Sequence, residues 1–147
     1  MGKINWGRVI LGGLLAGVVL NIVDYVVYGV VLMGDMEAAM RDLGREPIGP
    51  SQVIWFVLLD FLYGIFLVYL YAAIRPRFGP GPRTAVVAGI LVWVGAALLH
   101  SLGQMPMGLF PPRIVVIGVV VALIALPVAA VVGAWPYKEG GEGGSAP

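Results

Sequence analysis

The chain has 147 residues, 60% of them hydrophobic and 12% charged, and a mean hydropathy of +0.96. A water-soluble domain carries about 25% charged residues and still exposes much of its surface, so this composition excludes an ordinary soluble domain and a disordered chain. Nine Lys and Arg balance eight Asp and Glu with no basic block, which excludes a nucleic-acid binder, and the lack of cysteine excludes disulfides and thiolate metal sites.

What remains is an integral membrane protein. Crossing about 30 Å of hydrocarbon takes roughly 20 helical residues. Four apolar stretches are long enough: Val9 to Met33, Gln52 to Ile74, Thr84 to Gly103 and Ile114 to Trp135. None alternates as a barrel strand would, and a helix satisfies its own backbone polar groups in lipid. The expected fold is all-α, one domain over residues 1–138, an antiparallel four-helix bundle in a membrane.

The first stretch starts after Lys3 and Arg8, as a signal peptide does. Its apolar run is too long for one and no A-x-A site follows, so it reads as a retained helix. It carries Gly13-x-x-x-Gly17, a small-residue stripe that lets backbones approach in lipid. The external connection after it predicts a short interfacial helix. Asp35 is placed to cap it, Met36, Met40 and Leu43 share a face, and Gly44 can stop it.

The second stretch ends at Arg75-Pro-Arg-Phe-Gly-Pro-Gly-Pro-Arg83. This is a tight Pro/Gly hairpin whose Arg75, Arg77 and Arg83 sit at anionic headgroups. It lacks the GxxxxGK[ST] pattern of a phosphate cradle. The third stretch carries Ala85-x-x-x-Gly89. The fourth carries Gly118-x-x-x-Ala122, then Ala125, Ala129 and Gly133, and Pro127 is expected to kink it. These stripes can pack within the chain or against another copy or subunit. Residues 139–147 read as a flexible Gly-rich tail.

Lys3, Arg8, Arg75, Arg77, Arg83 and Lys138 fall on one side. Arg41, Arg45 and Arg113 fall on the other, diluted by Asp35, Glu37, Asp42 and Glu46. Cytoplasmic loops carry the excess of Lys and Arg, so both termini are expected in the cytoplasm. Trp6, Trp55 and Trp135 sit near span ends, as interface aromatics do.

Asp24 and Asp60 are the informative positions, because an acid at mid-span costs about 2.5–3.5 kcal/mol on insertion scales. Helical spacing puts Asn21, Asp24, Tyr25 and Tyr28 on one face, and Asp60, Tyr63 and Gly64 on another. Both acids should lie roughly 12–14 Å below the outer boundary. If their faces meet, two carboxyl groups share a site where both cannot ionise cheaply. His100, the single histidine, should lie several Å above them. Asp24-Tyr-Val-Val-Tyr-Gly29 and Asp60-Phe-Leu-Tyr-Gly64 form a weak internal echo, which chance explains as well as repetition does.

Three readings compete for this cluster: a satisfied polar network with tyrosine hydroxyls donating to the acids, a proton or cation path, and a ligand pocket or a contact surface for a larger complex. Enzyme chemistry is not expected, since no Ser–His–Asp order, H-E-x-x-H or glycine fingerprint occurs. No cofactor or metal is expected. Met33, Met36, Met40, Met105 and Met107 gather near the outer face. Thioethers can select Cu(I), though interfacial packing explains them more simply. The expected partners are the bilayer and a second copy or a larger membrane complex.

Ile4-Asn5-Trp6 precedes the first span, which ends in Tyr28-Gly29. Met36-Glu-Ala-Ala-Met40 follows outside, and Gly133-Ala-Trp135 closes the last span. In these features the chain resembles small four-span bacterial membrane proteins grouped as a domain of unknown function. The resemblance implies the architecture and a bacterial cytoplasmic membrane, and it implies no activity.

Overall fold

The computed structural model describes residues 3–139. The Gly-rich tail expected at the end of the chain lies, from residue 140 on, outside the described residues. Those described are organised entirely by helices. Helix α1 spans Trp6–Val26 and runs on through a π-helical turn, Val27–Val31. The Asn5 side chain starts it, accepting from the Arg8 N–H at 3.2 Å. Helix α2 (Met33–Asp42) follows at once. Helix α3 spans Pro50–Phe78 and α4 Pro82–Val92. A π-helical turn (Trp93–Leu99), α5 (His100–Gln104) and a 3-10 turn (Met105–Met107) continue α4, and α6 spans Pro112–Ala134. Four helical rods, Trp6–Val31, Pro50–Phe78, Pro82–Met107 and Pro112–Ala134, are long and apolar enough to cross a membrane.

Three local expectations need correction. Asp35 does not cap α2. The helix begins two residues earlier, because the chain enters it directly from the π turn, and Asp35 sits in its first turn. That position still suits an acid, which complements the N-terminal end of the helix dipole. The basic hairpin is also shorter than expected. Arg75 and Arg77 belong to the last turn of α3 and Arg83 to the first turn of α4. Only residues 79–81 turn the chain, with Gly79 at φ +85° and Gly81 at φ +119°. The spans are longer than their apolar runs: α3 alone has 29 residues. At 1.5 Å per residue its length is about 43 Å, enough to carry its arginine end beyond the hydrocarbon.

The widest contact is α1 against α3. Gly12, Gly13, Gly17 and Asn21 of α1 meet Val68, Ile65, Phe61 and Val57 of α3 in that order. The contact is close because the side chains are missing. A Cβ on Gly13 would lie 2.5 Å from Ile65 Cα, and one on Gly17 would lie 2.8 Å from Phe61 Cα. Gly64 answers from α3, where a Cβ would meet the Gly13 carbonyl oxygen and the Gly17 nitrogen. Helix α6 closes on the same place. A Cβ on Gly133 would lie 2.7 Å from the Gly12 carbonyl oxygen and 2.9 Å from Ala16 Cβ. Gly89 of α4 lies directly on Pro127 of α6. The stripes at Gly13, Gly17, Gly89, Ala125, Ala129 and Gly133 are thus buried inside the chain. Ala122 borders the core, and Gly118 makes room for the Tyr28 hydroxyl instead of a helix backbone.

Packing is uneven along the rods. The core gathers toward the end that holds the described termini and the 79–81 turn, with Val9, Leu67, Val68, Ala85, Ala129 and Ala130 fully enclosed. At the far end every residue from 50 to 59 of α3 is exposed, as is every residue from 102 to 109. There α2 buries Ala39, and its Asp35 carboxylate lies 3.8 Å from Arg113 Nε.

Candidate functional site

Asp60 lies on α3 next to Phe61, which packs on Gly17, and one turn from Val57, whose carbonyl meets Asn21. Tight packing of the two helices therefore stops at Asp60. The residue is 9% exposed. Asp24 stands one turn beyond Asn21 on α1 and is half-buried. Asn21 meets Val57, and Asp24 lies one turn beyond that level toward the far end while Asp60 lies one turn back toward the glycine contacts, so the two acids are offset along the helices.

No described Lys, Arg or His pairs with either carboxyl group, and no described side chain donates a hydrogen bond to them. Asp60 nevertheless keeps its small exposure. The surroundings explain where: the residues of α3 beyond Asp60, toward residue 50, are exposed, although Val57 still meets Asn21.

The remaining members of the expected cluster divide. The Asn21 amide donates to the Gly17 carbonyl at 2.9 Å and the Val57 carbonyl at 3.4 Å, bridging α1 to α3 rather than reaching Asp24. Tyr28 turns its hydroxyl to Gly118 of α6. Tyr63 is half-buried against the core, while Tyr25 is 70% exposed on the outside of α1. His100 is exposed and its Nε2 lies 2.8 Å from Gln104 Nε2, its one hydrogen bond among the described residues. The tyrosine-to-carboxylate bonds of a satisfied network do not occur among the described residues.

Cavities accompany the helices, and two of them are lined by neither Asp24 nor Asp60. One of about 240 Å³ is wholly apolar, between Val19 and Val23 of α1 and Val121 and Ile124 of α6. The other, about 450 Å³, lies at the far end between Asp42 and Leu43 on one side and Ser101, Gln104 and Phe110 on the other.

A second polar cluster escaped the sequence reading. Arg75 Nη1 lies 3.3 Å from Glu139 Oε1, and the Arg75 guanidinium sits 5.7 Å from the Tyr137 ring centre. Tyr137 packs edge-on to Tyr71 at 5.8 Å, and its hydroxyl accepts from the Asn5 N–H at 3.4 Å. The Tyr71 hydroxyl accepts from the Gly81 N–H at 3.2 Å, and Arg8 Nη1 donates to the Pro136 carbonyl at 3.3 Å. One clasp thus joins both described termini to the 79–81 turn. The signal for it was a tyrosine and a glutamate two and four residues after Trp135, where the composition turns polar.

No protein-family model, curated protein or solved structure matches this chain. What the site does must therefore be argued from its own geometry.

Proposed function

We propose that the chain is a non-enzymatic, multi-pass component of a bacterial cytoplasmic membrane, an antiparallel four-helix bundle that serves as a structural or accessory part of a larger assembly. The observation that carries this reading is the uneven packing. One end is sealed by glycine contacts and the clasp, while residues 50–59 of α3 are all exposed. Lipid can cover that surface, but van der Waals contact with another helix does so with close packing, and membrane helices associate in this way. The rising order of α1 contacts against the falling order of α3 supports the antiparallel arrangement. The gathering of Lys3, Arg8, Arg75, Arg77, Arg83 and Lys138 at the clasped end supports cytoplasmic termini. The resemblance to four-span bacterial proteins of unknown function agrees with this reading. Native mass spectrometry of a gentle-detergent membrane extract tests it. The expected species is heavier than the 15.5 kDa chain. A lone chain carrying only lipid overturns it.

The Asp24 and Asp60 pair favours a second reading, a small proton- or cation-coupled transporter. Intramembrane acids without protein partners mark ion pathways in many membrane proteins. Asp24→Asn and Asp60→Asn separate the two readings. Under the transport reading both variants lose proton-coupled flux in liposomes and melt no lower than wild type. Under the assembly reading wild type carries no flux, and the variants alter assembly instead.

A further inference from the structure

Among the described residues at the clasped end, the one acid is Glu139, and Arg75 holds it. Lys3, Arg8, Arg77, Arg83 and Lys138 are exposed there. The far end shows no such excess, since Asp35, Glu37, Asp42 and Glu46 answer Arg41, Arg45 and Arg113. The five cations come from three places in the chain, and each place also exposes an aromatic ring. Trp6 stands two residues before Arg8, Phe78 immediately after Arg77, and Trp135, 88% exposed, three residues before Lys138.

The turn between α3 and α4 is held rigid. The Thr84 hydroxyl donates to the Gly79 carbonyl at 2.7 Å while the Gly81 N–H donates to Tyr71. Arg77 and Arg83 therefore flank a fixed hairpin, and little ordering is left for a ligand to impose on the backbone.

We propose that this rim is a binding belt for acidic glycerophospholipids, whose phosphate diesters the five cations engage while Trp6, Phe78 and Trp135 lie at headgroup depth. The chemistry discriminates by net charge. A zwitterionic lipid offers the same phosphate, but its ammonium group is repelled by cations that outnumber the acids among the described residues of this end. Aromatic rings settle at the membrane interface, and basic groups beside it attract the anionic leaflet within a Debye length. The inference rests on the reading that the chain spans a bilayer.

The test uses the full chain reconstituted in equimolar phosphatidylglycerol and phosphatidylcholine, with retained lipids counted by native mass spectrometry after transfer to detergent. Phosphatidylglycerol is expected to be retained several-fold over phosphatidylcholine, with the preference falling at about 1 M salt. The double variant Arg77→Gln/Arg83→Gln, at exposed positions, should bring the preference clearly closer to equal retention. Arg41→Gln/Arg45→Gln at the far end should leave it unchanged. Equal retention of both lipids, or equal loss in the two double variants, overturns the proposal. Displacement of the lipid by free glycerol phosphate also overturns it, because the belt would then be a site for soluble phosphate. Extraction of the protein by alkaline carbonate would fail the spanning reading, whereas an inserted protein with no lipid preference fails the belt alone.

Discussion

Glycine at one position and its neighbour at another have opposite meanings in this chain, and the difference is spatial. Gly64 faces the backbone of α1, so the Cβ of Gly64→Ala would meet the Gly13 carbonyl and the Gly17 nitrogen. Backbone atoms cannot turn aside as a side chain can, and overpacking of this kind costs about 1–3 kcal/mol. Gly95 has nothing within 4 Å of a built Cβ. Gly64→Ala should therefore lower the melting temperature in detergent clearly, and Gly95→Ala should leave it unchanged or raise it slightly, since alanine is the better helix former. Equal effects would mean that α1 and α3 do not approach as described. The Asp35–Arg113 pair belongs to the same scale with a smaller consequence. Both side chains are partly exposed and 3.8 Å apart. Asp35→Asn should cost no more than about 1 kcal/mol in the same assay.

The helices themselves were legible because their cause is compositional: a run of some twenty apolar residues has few alternatives to a helix in lipid. Their ends were not legible for the complementary reason. Pro50, Arg75, Arg77 and Pro82 are polar or conformationally restricted residues that the apolar pattern excludes, yet proline suits a first helical turn and arginine a last one. The π turns at Val27–Val31 and Trp93–Leu99 left no trace in spacing. Within the candidate site, the register of α1 on α3 was not legible, because it is set by which glycines meet which side chains of the facing helix. The clasp lay beyond reach because it is long-range: Asn5 and Tyr137 meet across almost the whole chain. Its importance to the elements it joins can be measured. Tyr137 is buried against Tyr71 and bonded to Asn5, so Tyr137→Ala removes a ring, a hydrogen bond and the face over which Arg75 lies. Loss of a buried aromatic costs about 3–5 kcal/mol. Equilibrium unfolding in mixed micelles should show most of that loss, and Tyr137→Phe, which keeps the ring, should show only about 1 kcal/mol of it.

At the scale of the molecule the two ends of the rods do different work. Packing that depends on missing side chains is rigid: Gly12, Gly13, Gly64 and Gly133 bring three helices together where a Cβ would overlap a neighbour. Beyond Asp60 that constraint ends, and α3 presents Ile54, Trp55, Phe56 and Leu58 to its surroundings. Trp55 and Leu58 are mostly exposed there, 72% and 53%. Trp55→Ala together with Leu58→Ala should therefore leave the unfolding free energy of the purified chain within about 0.5 kcal/mol of wild type, as substitutions away from packed features do. At the sealed end, Val68→Ala removes fully enclosed methyl groups that touch both Gly12 and Gly133, and a loss of about 2 kcal/mol is expected. The assembly responds in the opposite order if another helix covers α3. The Trp55/Leu58 double variant should then reduce the larger species in a gentle-detergent extract, and Val68→Ala should reduce the amount of folded chain without changing the fraction of it that is assembled. A double variant that melts far below wild type would place residues 50–59 inside the chain's own packing, and one that assembles normally would leave lipid as their cover.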